Sequence, residues 1–203
     1  MATMEKEPYH HENLRQELID AGIRIVAEEG VAALSLRRLA AECGVSHAAP
    51  YKHFKNKDEI LAVLTIHVAS LFTQRLQTVV DSIPAEQPYE RLVMLGVSYV
   101  RFMVENPDYL KFLFFNGISD EVTAERLERL DCRPRDSLGI FRETAVAYLD
   151  SIHAAPQNHE TSIMAMWAMV HGLSVMLVNR NWVPPGPYQD AVEHILRENL
   201  TFS

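Results

Sequence analysis

The apolar residues of this chain recur at three- and four-residue intervals along nearly its whole length, the period that aligns side chains on one face of an α-helix. No segment alternates as a half-buried strand would, so the pattern predicts an all-α chain. Leu14, Leu18, Ala21 and Ile25 mark a first helix over about 11–29, stopped by Gly30. Leu36, Leu39, Ala40 and Cys43 mark a second, with Ser35 as its N-cap. Gly44 ends it, Val45 is expected to point back into the core, and Ser46 is placed to cap a further helix running through Tyr51 to Phe54. Two short helices joined by a tight turn form a helix-turn-helix. Asn56, three residues before Glu59, then supplies a capping box for a long helix through Ile60, Leu61, Leu64, Val68, Leu71 and Leu76 to about Val80, ending before Pro84.

Proline and glycine punctuate the remainder into helices at about 88–105, 107–116, 120–130, 135–153, 159–180 and 188–200. Pro107 suits a helix start. The cluster Tyr109, Phe112, Leu113, Phe114 and Phe115 is too apolar all round for a surface helix, so it is expected to sit in a core or line a cavity.

Charge separates the two ends of the chain. The net charge is −8, yet Ser35 to Lys57 holds Arg37, Arg38, Lys52, Lys55 and Lys57 against the single acid Glu42. A basic island in an acidic chain points to a polyanionic partner for that island alone, and a solvated helix face is the plainer reading of the same charges. Residues 1–57 carry eight bases and eight acids, so the whole excess of acid lies in 58–203 and argues against that part touching DNA. With 203 residues, 48% of them hydrophobic, the chain can bury one large or two modest cores. No apolar run approaches a membrane span, because even 163–178 is broken by His171 and Gly172. The opening MATMEKEPYHHEN lacks the pattern of a secretory signal, which makes a cytoplasmic location the expectation.

Residues 1–10 read as a loose polar arm, and His10-His11 as solvent-exposed side chains pointing apart. Two cysteines give no disulfide framework: Cys43 reads as a small hydrophobe on a buried stripe, and Cys132 as an ordinary thiol or, beside Arg133 and Arg135, a redox sensor. Hydrolase, metalloprotease and nucleotide-binding motifs are missing and the nine histidines lack ligand spacing, so no catalytic residue, metal or cofactor is expected.

Gly30, Leu34-Ser35-Leu36, Leu39-Ala40, Gly44-Val45-Ser46 and Tyr51-x-His53-Phe54-x-x-Lys57, in that order and spacing over roughly 11–62, resemble the DNA-binding domain of the tetracycline-repressor (TetR) family of transcriptional regulators. The resemblance implies a three-helix DNA-binding domain over 1–57, a linking helix starting at 58, and an effector-binding and dimerisation domain over 58–203. It places Ser46, His47, Ala48 and Ala49 at the exposed start of the recognition helix, with His47 reaching a base edge. Tyr51, Lys52, His53 and Lys57 are expected to hold phosphates, joined by Ser35 and Arg37. Pro50 departs from the family, which usually has an aliphatic residue there. It removes the N–H that would bond to the Ser46 carbonyl and biases Ala49 away from helical angles, so the start of the recognition helix is expected to be tightened or tilted.

Trp167, His171 and Gly172 are similar to the residues that characterise the WHG class of C-terminal domain found behind such DNA-binding domains. Trp167 and His171 are i, i+4 neighbours, and Gly172 would let another helix come close. His171 has two readings, a core histidine hydrogen-bonded to a neighbour or a contact to an effector. Met164, Met166, Met169 and Met176 are either core filler or an adaptable pocket wall. Phe102, Met103, Phe112, Phe115, Phe141, Met164, Trp167 and His171 are expected around an effector cavity.

The function implied is a repressor released from a palindromic operator by a small, largely apolar effector. It would act as a homodimer through 159–180 and 188–200, where Ile163, Trp167, Val170 and Leu173 or Ser174 continue one stripe and Val192, Ile195, Leu196 and Leu200 another. The competing classes are a helical small-molecule-binding or enzymatic protein whose helix-turn-helix is not used for specific DNA binding, and a protein-interaction module.

Overall fold

Every regular element among the described residues is helical, and no strand occurs among them. The computed structural model describes residues 14–115 and 137–200. The N-terminal arm with His10-His11, the helix expected at 120–130 and Cys132 lie outside the described residues. The chain divides into two compact units, residues 1–64 and 65–203, so the division falls inside the long helix rather than at its start.

The first unit is built on α1 (Leu14–Glu29), α2 (Leu36–Glu42) and the beginning of α3 (Lys57–Asp81). α1 buries Leu18, Ala21, Gly22 and Ile25 together with Ile19, Ile23 and Val26. Full burial of each large aliphatic side chain contributes roughly 1.5–3 kcal/mol. A β-carbon on Gly22 would lie 2.9 Å from Leu64 Cδ1 and 3.5 Å from Leu39 Cδ2, so the missing side chain lets α1 lie against both neighbours. Ser35 caps α2 by accepting the Arg38 N–H at 3.1 Å. The helix closes with a reciprocal pair, Gly44 N–H to the Ala41 carbonyl at 3.2 Å and Val45 N–H to the Ala40 carbonyl at 2.9 Å. Gly44 sits at φ +65° with nothing near its would-be β-carbon, so it is the backbone sign, not space, that calls for glycine. Cys43 and Val45, both expected inside, are only half-buried, because this cap turns the chain outward after Ala40.

At the start of α3, Asn56 Oδ1 accepts the Glu59 N–H at 2.8 Å, while the Glu59 carboxylate reaches back to the Lys55 N–H at 2.6 Å. This is a capping box whose return bond lands one residue further back than usual. Ile60, Leu61, Leu64, Val68, Phe72 and Leu76 form the buried stripe. Leu71, expected on it, is exposed because the four-residue step from Val68 reaches Phe72 instead.

The second unit is organised around α4 (Pro88–Glu105), followed by α5 (Pro107–Phe114), α6 (Ser137–Ser151), α7 (His159–Val178) and α8 (Tyr188–Asn199). α6, α7 and α8 all pack on α4. The close approach of α7 and α8 is set at Gly96, where a β-carbon would lie 2.8 Å from Leu196 Cδ1 and 3.2 Å from Val170 Cγ1. At Gly172 an added β-carbon meets nothing within 4 Å. The glycine that admits a neighbouring helix within the protomer is therefore Gly96, not Gly172 as the sequence suggested. α8 is fastened by Arg197, whose guanidinium takes both Glu90 oxygens at 2.8 and 2.9 Å and also bonds Glu193. The Tyr89 hydroxyl donates to the Arg197 carbonyl, and the Tyr148 hydroxyl to that of Leu200.

α7 is apolar nearly all round. Ile163, Met166, Val170, Leu173 and Ser174 face the protomer core, as do Val192, Leu196 and Leu200. The stripes assigned to dimerisation from sequence are thus largely core stripes. Met164, Ala165, Ala168 and Met176 lie exposed on other sides of α7, with Gly172 half-buried. Two helical stretches, Lys57–Asp81 and Pro156–Val178, have the length and apolar content of a membrane span, with mean hydropathy 1.2 and 1.6, against the expectation of none. The latter averages His171 and Gly172 among enough aliphatic residues to pass.

Candidate functional site

The basic island survives folding in reduced form. Arg38 is occupied within the unit by Glu29 at 2.9 Å and Glu42 at 3.7 Å, and the Lys57 ammonium donates to the Ala32 carbonyl at 3.3 Å. Lys57 is half-buried and braces the turn after α1. Arg37, Lys52 and Lys55 remain exposed, and none makes a side-chain ion pair among the described residues. Ser35 is exposed, and accepting the Arg38 N–H leaves its own hydroxyl proton available to a phosphate.

Between α2 and α3 the recognition segment is not an α-helix. Ala49 N–H bonds the Ser46 carbonyl at 2.9 Å, Lys52 N–H the Ala49 carbonyl at 3.1 Å, and His53 N–H the Pro50 carbonyl at 2.9 Å, with a 3-10 turn over Pro50–Lys52. The helix expected from Ser46 to Phe54 is corrected to a run of i→i+3 turns, and no side-chain cap by Ser46 starts it. Ala49 keeps helical angles (φ −61°, ψ −47°) in spite of the following proline. Pro50 and Phe54 are buried, and Arg15 on α1 sits 5.7 Å above the Phe54 ring. Ser46, His47, Ala48, Lys52 and His53 are exposed, Tyr51 is 59% exposed, and Ala49 is half-buried. The ten residues expected to meet DNA therefore all lie in the first unit, with only Ala49 and Lys57 partly covered.

In the second unit the eight residues expected around an effector separate into groups. Phe102, Met103, Phe112 and Phe141 are core residues, Phe102 packing on Phe72 and Tyr109 at ring distances of 4.9 and 5.9 Å. Met164 is exposed on α7. Phe115, Trp167 and His171 come together in one aromatic cluster. The Trp167 and His171 rings are stacked 4.9 Å apart and 8° from parallel, while the Phe115 ring lies 6.4 Å from that of His171 and 25° from parallel to it. Two more residues join this cluster: Phe114, which the sequence placed in an aromatic run expected in a core or along a cavity but not among the eight, and Tyr99, which sequence reasoning missed. Phe114 meets the His171 ring edge-on at 4.6 Å, and the buried Tyr99 hydroxyl lies 3.2 Å from His171 Nδ1. A hydroxyl-bearing ring on the apolar stripe of α4 was the available signal for Tyr99.

Burial lowers the His171 pKa and pushes the Tyr99 phenol well above its usual range. Both are therefore neutral near pH 7. The Tyr99 hydroxyl and His171 Nδ1 share one hydrogen bond, and in the tautomer in which the phenol donates, Nε2 carries the ring proton. Burial, reinforced by Glu17, also raises the Cys43 thiol, whose sulfur approaches the Glu17 carbonyl at 3.6 Å, in keeping with a small packing residue rather than a thiolate. A separate cavity of about 130 Å³ lies among Gln77, Val80, Pro88, Arg91, Ile140 and Glu143 and includes none of the eight expected residues. No group of three or more metal-ligating side chains occurs among the described residues.

Comparison with known proteins gives two family matches: residues 18–64 match bacterial regulatory proteins of the tetR family, and residues 92–199 match the tetracyclin repressor-like C-terminal domain. The transcriptional regulator PksA of Bacillus subtilis (strain 168) is 27% identical over 171 residues, covering 81% of this chain and 78% of PksA. The nicotine-responsive transcriptional repressor HdnoR of Paenarthrobacter nicotinovorans is 39% identical over 67 residues, 33% of this chain and 34% of HdnoR. The chain spans between 34% and 53% of the length of several curated relatives it matches. Among solved structures, the regulator FadR from Bacillus subtilis in complex with stearoyl-CoA superposes with a TM-score of 0.66 at 15% identity, covering 90% of this chain and 97% of that one.

Proposed function

Because the chain belongs to the tetR family of bacterial regulatory proteins, which are DNA-binding transcriptional regulators and not enzymes, we propose that it is a dimeric cytoplasmic repressor of a palindromic operator, released by a small, largely apolar effector. The observation that carries this reading is the exposure of Arg37, His47, Tyr51, Lys52 and His53 on the tetR-like unit of an otherwise acidic chain. Arg37, Tyr51, Lys52, His53 and the Ser35 hydroxyl hold phosphates, Lys57 adds its charge from a half-buried position, and Ser46, His47, Ala48 and Ala49 face the bases. Phosphate contacts fix the position on the duplex, and base contacts carry the sequence information.

A helix-turn-helix reads few base pairs, so two copies on two half-sites are required for useful affinity. The exposed apolar side chains of α7, with the outer face of α8, supply the surface for that pairing. The effector is placed against the cluster of Phe114, Phe115, Trp167 and His171, where aromatic rings lie against one titratable polar group. HdnoR answers to nicotine and FadR was solved with stearoyl-CoA, which supports an apolar or aromatic effector class here.

The test is fluorescence anisotropy with duplex DNA from upstream of the protein's own gene, against a scrambled duplex of equal length. Two chains per palindrome and a preference of at least a hundredfold are expected. Lys52→Ala should weaken both duplexes alike and lower the salt slope by about one. Equal affinity for palindrome and scramble would overturn the reading.

A further inference from the structure

We propose that Pro50 is a positioning residue for base recognition: it sets which side chains of the recognition segment share an edge facing the DNA, without itself touching a base. The inference rests on the reading of this unit as a sequence-specific DNA binder and names what tunes that specificity. An α-helix starting at Ser46 needs the residue 50 N–H to bond the Ser46 carbonyl, and proline has none. That carbonyl is taken instead by the Ala49 N–H, and the next two bonds, Lys52 to Ala49 and His53 to Pro50, keep the same three-residue reach. The first four-residue bond appears only at the end of the segment, from Phe54 N–H to the Pro50 carbonyl at 2.9 Å.

Pitch then decides the side-chain order. At about three residues and 6 Å per turn, positions i and i+3 eclipse, whereas at about 3.6 residues and 5.4 Å per turn, i and i+4 lie closest. The segment is instead two successive turns, Ser46–Ala49 and Ala49–Lys52, joined at Ala49 with no Tyr51 N–H to Ala48 carbonyl bond between them, so His47 and Tyr51 are not held in one continuous helical register. On an α-helix His47 and Tyr51 would be only about 40° apart and would be presented together. Pro50 and Phe54 turn inward and anchor the segment on the unit's core, while His47, Ala48, Tyr51, Lys52 and His53 are all exposed. Because Pro50 is buried, its effect on DNA runs through the backbone it shapes and not through a contact of its own.

Wild type, Pro50→Ala and Pro50→Leu would each be used to select sequences from a random duplex library. Leucine is included because alanine leaves a gap at a buried site, so one folded variant suffices, judged by thermal unfolding. The expected result is a changed preferred half-site, with the ratio of affinities for the wild-type and variant sequences shifting on the order of tenfold or more. The salt slope should change by less than about one, since the charges of Arg37, Lys52 and Lys57 are all kept. A merely structural role would weaken all sequences alike and leave the preference where it was, and that outcome in a folded variant overturns the proposal. A wild type that selects no sequence at all would instead overturn the DNA-binding reading beneath it.

Discussion

A β-carbon at position 96 would force its neighbours to shift. It would sit 2.8 Å from a buried Leu196 methyl and 3.2 Å from Val170, at the point where α4 receives α7 and α8. Gly96→Ala is expected to cost about 1–3 kcal/mol of stability as overpacking, read in a lowered unfolding temperature. Gly172→Ala should leave protomer unfolding in place or raise it slightly, since the position is open and alanine is the better helix former. At His171 the sign of the pH dependence follows from burial. The folded pKa lies below the unfolded value of 6.5, so the unfolded chain takes up protons first as pH falls. The contribution to stability is fully present above pH 6.5 and is lost on acidification toward the folded value. Thermal unfolding between pH 8 and 5 should show this loss in wild type and a shallower one in His171→Gln. The His171 hydrogen bond to Tyr99 favours the core-histidine reading, and its ring contacts with Phe114 and Trp167 keep it at the candidate effector cluster as well. The sequence could not separate these roles, because a buried polar group and a ligand anchor call for the same residue.

At the scale of elements, most boundaries were legible because they rest on local chemistry. The Ser35 cap, the Gly44 turn, the Asn56–Glu59 box and Pro88 and Pro107 at helix starts all fall where the chain was expected to bend or begin. Two elements were misread for identifiable reasons. The recognition segment is too short for periodicity to distinguish three- from four-residue bonds, and only Pro50 hinted at the difference. α7 is apolar on nearly every side, so its pattern could not say which stripe faces inward; the inward one proved to be Ile163, Val170 and Leu173. This alters how the interface should be tested. Removing α8 would bare Gly96 and the core around Val192 and Leu196, so a truncation after Asn181 would confound folding with pairing. Ala168→Arg, on an exposed position of α7, is the cleaner change: sedimentation should show monomers with helical content intact. Arg197→Ala, by contrast, is expected to loosen α8 within the protomer. Its ion pairs with Glu90 and Glu193 are about a third exposed, so a loss of only about 1 kcal/mol is expected on thermal unfolding.

For the molecule as a whole, the sequence conveyed the division of labour better than the site within each half. The acidic excess beyond residue 57 and the basic island before it were visible from composition, whereas pocket and core draw on the same phenylalanines and methionines and so could not be told apart. The methionines of the second unit have a further consequence. Met164 and Met176 are 61% and 42% exposed on α7, whereas Met103 and Met166 are buried. A thioether accessible to peroxide becomes a polar sulfoxide, and one packed in a core is shielded. Limited hydrogen peroxide treatment followed by peptide mass spectrometry should therefore mark Met164 and Met176 well ahead of Met103 and Met166 in dilute protein. Raising the concentration until two chains pair should slow oxidation at whichever of the two exposed thioethers the partner covers, so the chain carries its own chemical footprint of assembly. Once oxidised there, it should resist pairing until the sulfoxide is reduced.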